Sequence, residues 1–126
     1  MTRGSLIEGE KPLFWVGSSR KDLSKFPDKV SDDIGYALSV AQFGGKHGDA
    51  KPWKGEGPGV LEVVEDYRGD TFRAVYTVRF ERAVYVLHVF QKKPKSGIAT
   101  NRIDQAMITS RLKESQLDYE KRYGKS

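Results

Sequence analysis

Cysteine is absent from the 126 residues. That excludes a disulfide framework, a thiol nucleophile and any zinc site built on thiolates. Histidine is nearly as scarce: His47 and His88 are the only two, far apart in the chain, and no His-Glu-x-x-His motif occurs. A zinc hydrolase is therefore not expected, and neither a metal nor a cofactor is. No apolar run approaches the roughly 18 residues that would span a bilayer. The opening "MTRGSLIEGEK" lacks the apolar segment of a signal peptide. It is polar and contains glycine, so residues 1–11 are expected to be disordered, ahead of a single domain over 12–122. A cytoplasmic protein with no membrane partner is the expectation. The segment "GGKHGDAKPWKGEGPG" at 44–59 is rich in glycine and lysine. It lacks the Gly-x-x-x-x-Gly-Lys-Ser/Thr spacing of a phosphate-binding loop.

What is present in excess is positive charge, and it is unevenly placed. The net charge is +5. The first fifty residues balance their bases against their acids, so the whole excess lies in 51–126. It peaks in "VLHVFQKKPKSG" at 86–97, where Lys92, Lys93 and Lys95 follow an apolar run with no acid beside them. An unpaired ammonium is costly to bury, so these lysines belong at a wet end of a core strand. A basic surface of this kind is compatible with a polyanionic partner.

The pattern of apolar residues predicts an α+β domain. "PLFWV" at 12–16 reads as a short strand, followed by a short helix opening near Ser19. From Asp28 the residues Val30, Ile34, Ala37, Leu38 and Ala41 recur at helical spacing until Gly44 and Gly45 end the pattern. Three strands follow: "VLEVVEDY", then "TFRAVYTVRF" after the turn "RGD", then "VYVLHVFQ" after "ERA". Such short connections make an antiparallel meander. A last helix runs from about 102 to 121. The order is β-α-α-β-β-β-α, with a curved antiparallel sheet covered on one face by the N-terminal helical hairpin.

Side-chain alternation divides the strand at 71–80. Phe72, Ala74, Tyr76 and Val78 share the face expected to meet the helices; Arg73, Val75, Thr77 and Arg79 point to the face expected to stay open. In a meander the end of the strand at 84–91 lies beside the start of the strand at 71–80. Arg73 therefore meets Lys92 and Lys93 at one end of the open face. Arg73 reads as a surface residue whose loss leaves stability almost unchanged. His88, inside an apolar strand, reads as a core histidine with satisfied nitrogens. The last helix has two apolar sides: Ile103, Met107 and Leu117 on one, Ile108, Leu112 and Tyr119 on the other. The expected partner surface is the cationic face or the second of these sides.

The pieces "KPWKG", "VLEV", "FRAVYTV" and "YVLHVFQKKPKSG", in this order, resemble the RelE/ParE toxin superfamily, and within it the phage-derived, HigB-like toxins of type II toxin–antitoxin modules. The likeness covers about 12–115. It implies a small α+β toxin that cleaves mRNA without a metal, in some relatives on the ribosome, and that is held in check by a cognate antitoxin, here expected to be a helix-turn-helix protein. Relatives on the same scaffold inhibit DNA gyrase instead, and a non-toxic RNA-binding module is a further alternative. Carried over by position, the resemblance puts Arg73 against the scissile phosphate and Lys92 and Lys93 at the strand end where relatives keep a basic residue. Lys54 matches the family's loop lysine. Glu62 stands where RelE itself carries a lysine, and is the candidate base. Lys51, Lys54, Arg79 and Lys95 are the candidate RNA-binding residues.

Overall fold

The hairpin at residues 67–70 sets the frame of the sheet. Arg68 and Gly69 both take positive φ, 52° and 86°, as a two-residue turn must if it is to follow the twist of its strands. The computed structural model describes residue 6 and residues 8–92 and 98–125. In chain order the elements are β1 (Leu13–Trp15), α1 (Ser19–Ser24), α2 (Asp28–Gln42), β2 (Ala50–Pro52), β3 (Val60–Tyr67), β4 (Asp70–Thr77), β5 (Val84–Lys92) and α3 (Ile98–Tyr123). The α+β reading and the three-strand meander hold.

Two strand features differ from the sequence expectation. The sheet has five strands in the order β1-β5-β4-β3-β2, because Ala50–Pro52 adds an edge strand against Leu61–Val63. The sheet is also mixed: β1 runs parallel to β5, with Leu13 opposite Val84. Two helices and three strands separate β1 from β5 in the chain, so no hairpin dictates their relative direction.

The expected helix stripe forms one core. Val30, Ile34, Ala37, Leu38 and Ala41 of α2 pack on Val63, Phe72, Ala74, Tyr76, Val84, Val86 and Val89. Gly44, at φ 85°, ends the helix; its N–H donates back to the Ala41 carbonyl at 2.9 Å. Ile34 is fully buried, and truncating such a residue to alanine typically costs about 2–5 kcal/mol.

The other face is not open, contrary to the sequence expectation. Ile108, Leu112 and Tyr119 of α3 pack with Val60, Val75, Phe80, Tyr85 and Leu87 into a second core. The two sides of α3 are thus reversed from the sequence reading: Ile103 and Leu117 are the exposed pair, at 64% and 68%. The sheet-facing stripe also carries Arg111 and Ser115, both buried, and these polar residues make it look no more apolar than the exposed side.

Of the 1–11 segment expected to be disordered, residues 1–5 and 7 lie outside the described residues. Its end is fixed: the Lys11 N–H donates to the Gln42 carbonyl at 2.8 Å, and Glu10 is buried. Among the described residues no helix is long and apolar enough to cross a membrane.

Candidate functional site

The register of the meander stacks side chains in rows across the face that α3 partly covers. Lys51, Glu62, Val75 and His88 form one row across β2, β3, β4 and β5; Val64, Arg73 and Phe90 form the next; Asp66, Thr71 and Lys92 form the last. Directly opposed residues in an antiparallel pair point to the same face. Arg73 and Lys92 therefore stand one row apart, as the topology implied. They line a shared cleft with Trp53, Phe90, Asp104 and Gln105, of about 80 Å³.

Arg73 is not the free surface arginine the sequence suggested. Its Nη1 donates to Glu62 Oε1 at 2.5 Å, and the two side chains are only 20% and 9% exposed. Its Nε is buried without a partner. The reason is positional: Glu62 sits one row away on the neighbouring strand, and burial makes a carboxylate there untenable without a counter-charge. Glu62 and Asp104 thus set two negative charges among the cations of the cleft.

The Phe90 wall is built by a local irregularity. A bulge between β4 and β5 pairs Val75 with His88 but Tyr76 with Val86, leaving Leu87 as the extra residue. Leu87 joins the α3-side core, and His88 next to it also turns toward α3. His88 Nε2 lies 2.8 Å from Asp104 Oδ1, and its Nδ1 lies 3.4 Å from Arg111 Nη1. Since the guanidinium only donates, Nδ1 accepts from it and Nε2–H donates to Asp104. His88 is the satisfied, buried histidine the sequence pointed to. Its ring stacks on Phe90 with centroids 4.7 Å apart, which fixes Phe90 at the cleft.

Arg111 ties the assembly together. It donates to the Leu87 carbonyl at 3.0 Å and to Ser18 Oγ at 3.2 Å. Its guanidinium lies over Gly17, where a Cβ would come within 2.8 Å of Nη2 and where φ is +55°. Only glycine meets both demands.

The remaining candidates separate. Lys51 and Lys54 are exposed on the edge strand and the turn after it. Arg79 is engaged in holding that turn: Nη2 donates to the Glu56 and Pro58 carbonyls at 2.5 and 3.1 Å, and Nε to Pro58 at 3.2 Å. It is a loop clasp, where the sequence suggested an RNA contact. Lys93 and Lys95 lie outside the described residues. Trp53, Phe90, Asp104 and Gln105 were not singled out from the sequence. The tryptophan in "KPWKG" was the one available signal.

Two titratable groups elsewhere are shifted by burial. On the opposite face, burial raises the Glu65 carboxyl to about 7, helped by hydrogen bonding with Asp49 and by the charges of Asp49 and Asp33. At the far end of α3, Tyr85 Oη donates to Asp118 at 2.6 Å and Arg122 Nε donates to the same carboxylate at 2.6 Å. Burial pushes the Tyr85 hydroxyl up. Burial also works against ionisation of Asp118, but those two hydrogen bonds outweigh it and hold the carboxyl below its usual range. This network lines a larger cleft of about 320 Å³ with Phe14, Trp15 and Glu114. Among the described residues no group of histidines and carboxylates could hold a metal ion.

Comparison with known proteins places the chain. It is similar to the Escherichia coli toxin RelE, in the structure of a double-arginine mutant in the free state, with 20% identity and a TM-score of 0.47 over 64% of this chain and 81% of that one. It is also similar to a chain of the RelBE2 toxin–antitoxin complex of Mycobacterium tuberculosis, with 22% identity and a TM-score of 0.43 over 66% of this chain and 99% of that one. No curated protein matches it. The family model described as phage-derived protein Gp49-like (DUF891) matches residues 21–113. With well over half its length covered by that match, the chain belongs to the phage-derived Gp49-like family.

Proposed function

We propose that the protein is the toxin of a type II toxin–antitoxin module and cleaves mRNA without a metal. The observation that carries this reading is the placing of Arg73 and Lys92 on one cleft beside Trp53 and Phe90. Cleavage of RNA by its own 2′-OH needs three things: removal of that proton, stabilisation of the dianionic phosphorane, and protonation of the leaving 5′-oxygen. Attack by the 2′-oxygen, whose proton passes to water, forms a 2′,3′-cyclic phosphate as the bond to the 5′-oxygen breaks. Arg73 suits the second task, because a guanidinium held by Glu62 on one side keeps further donors for phosphate oxygens. Lys92 adds charge at the same end and can supply the proton to the leaving oxygen. Glu62, buried and bonded to Arg73, acts in this scheme as a positioning residue for the arginine rather than as the base.

The partner surface moves with the fold. The exposed side of α3, with Ile103, Met107 and Leu117, is where a cognate antitoxin of the helix-turn-helix kind would dock. Expression in bacteria should arrest growth and shorten transcripts, on or off the ribosome. A second reading has one observation in its favour: two carboxylates offset the cations of the cleft, which suits a non-catalytic toxin that inhibits a protein such as DNA gyrase. Growth arrest with intact transcripts and blocked supercoiling would establish that second reading. No growth effect, with RNA binding retained, would leave a non-toxic RNA-binding module.

A further inference from the structure

We propose that Trp53 is a stacking platform for one unpaired base of single-stranded RNA, whose adjoining phosphate lies at Arg73 and Lys92; this rests on the RNA reading above and adds a base-binding subsite to it. Trp53 is half-buried, so part of its indole packs on the α3-side core and the rest lines the cleft. It is held in place before any ligand arrives. Its backbone N–H donates to the Val60 carbonyl at 2.9 Å, and the turn that follows is clasped by Arg79 and by Thr109 Oγ1, which donates to Glu56 Oε2 at 2.5 Å.

The second ring of the cleft has a different status. One face of Phe90 is already occupied by His88, so Phe90 forms a fixed wall and the indole is the ring left to receive a ligand. A cleft of about 80 Å³ is too small to enclose a nucleoside, so the base would lie over the indole at the mouth of the cleft. Aromatic rings beside cations are the arrangement that takes single strands: the rings accept any base and the cations follow the phosphates. At the rim, Gln105 of α3 is exposed and offers both a donor and an acceptor to a base edge. A duplex would be refused, because its bases are already stacked and paired.

The test uses the 126-residue chain with Trp15→Phe, which leaves Trp53 as its only tryptophan. A short 2′-O-methyl single-stranded oligonucleotide is titrated in at low salt; it lacks the nucleophile and cannot be cleaved. The expected result is saturable quenching of Trp53 emission, in step with the rise in anisotropy of a labelled strand. An abasic site at the stacked position should abolish the quenching. Trp53→Phe should bind nearly as well as Trp53, and Trp53→Ala about ten-fold or more weaker. Binding that depends on Arg73 yet leaves Trp53 emission unchanged would overturn the stacking proposal while the RNA reading stands. No anisotropy rise would overturn both.

Discussion

Arg73→Ala should damage the protein in two separable ways. Removing the guanidinium strands Glu62, whose side chain is 9% exposed and whose bonding partner was 2.5 Å away. Breaking a buried pair by deleting one partner typically costs about 3–5 kcal/mol. Because Arg73 itself keeps 20% of its surface, the low end applies, about 3 kcal/mol. For a domain of this size that corresponds to a fall in Tm of roughly 10 °C. Arg68→Ala removes the same charge from an exposed turn position and should change stability by about 0.5 kcal/mol at most. The double variant Arg73→Ala/Glu62→Gln removes the stranded charge and should recover most of the lost stability. It should not recover activity, since losing one preorganised donor to a transition-state phosphate costs about 10²–10³ in rate. Thermal melts and growth assays on the four proteins separate the terms. If Arg73→Ala melts like Arg68→Ala, the ion pair is not the stabilising contact described. If the restabilised double variant is as toxic as the wild type, Arg73 is not in the active site.

Three further outcomes follow from the packing. The folded state raises the Glu65 carboxyl from 4.5 to about 7, so it holds that proton more tightly than the unfolded chain does; the associated stability is complete below about pH 4.5 and is lost as the pH rises through 7. Glu65→Gln should therefore gain Tm relative to the wild type above pH 7, and a difference independent of pH between 4.5 and 8 would contradict this. Gly17→Ala should cost about 2 kcal/mol in denaturant unfolding, because the new Cβ strains a positive φ and displaces the Arg111 guanidinium; an unchanged midpoint would show that Arg111 moves freely. Changing Ile103, Met107 and Leu117 together to polar residues should leave the melt within about 1 kcal/mol and abolish antitoxin capture. Changing Ile108 and Leu112 instead should unfold the protein, and the reverse pattern would mean α3 docks by its other side.

The sequence spoke most clearly where local chemistry decides structure. The strand at 60–67 is the run VLEVVEDY read from the sequence, and Arg68-Gly69 turns the chain as a two-residue hairpin requires. The meeting of Arg73 with Lys92 followed from meander topology alone. What stayed hidden depends on partners distant in the chain. Arg73 looked exposed because nothing local announces that Glu62, eleven residues earlier, would be its counter-charge. The docking side of α3 was misread because Arg111 and Ser115 are buried in it while Ile103 and Leu117 are exposed. Phe90 joined the site through a bulge in β5 and Trp53 through the edge pairing of Ala50–Pro52, neither of which leaves a periodic trace.

The most direct test of the central claim is to map RNA ends in cells after induction, comparing the wild type with the restabilised Arg73→Ala/Glu62→Gln variant. New 5′-hydroxyl ends within transcripts are expected for the wild type and none for the variant at matched protein levels. Growth arrest by the wild type with transcripts intact, or the same new ends from both proteins, would contradict it.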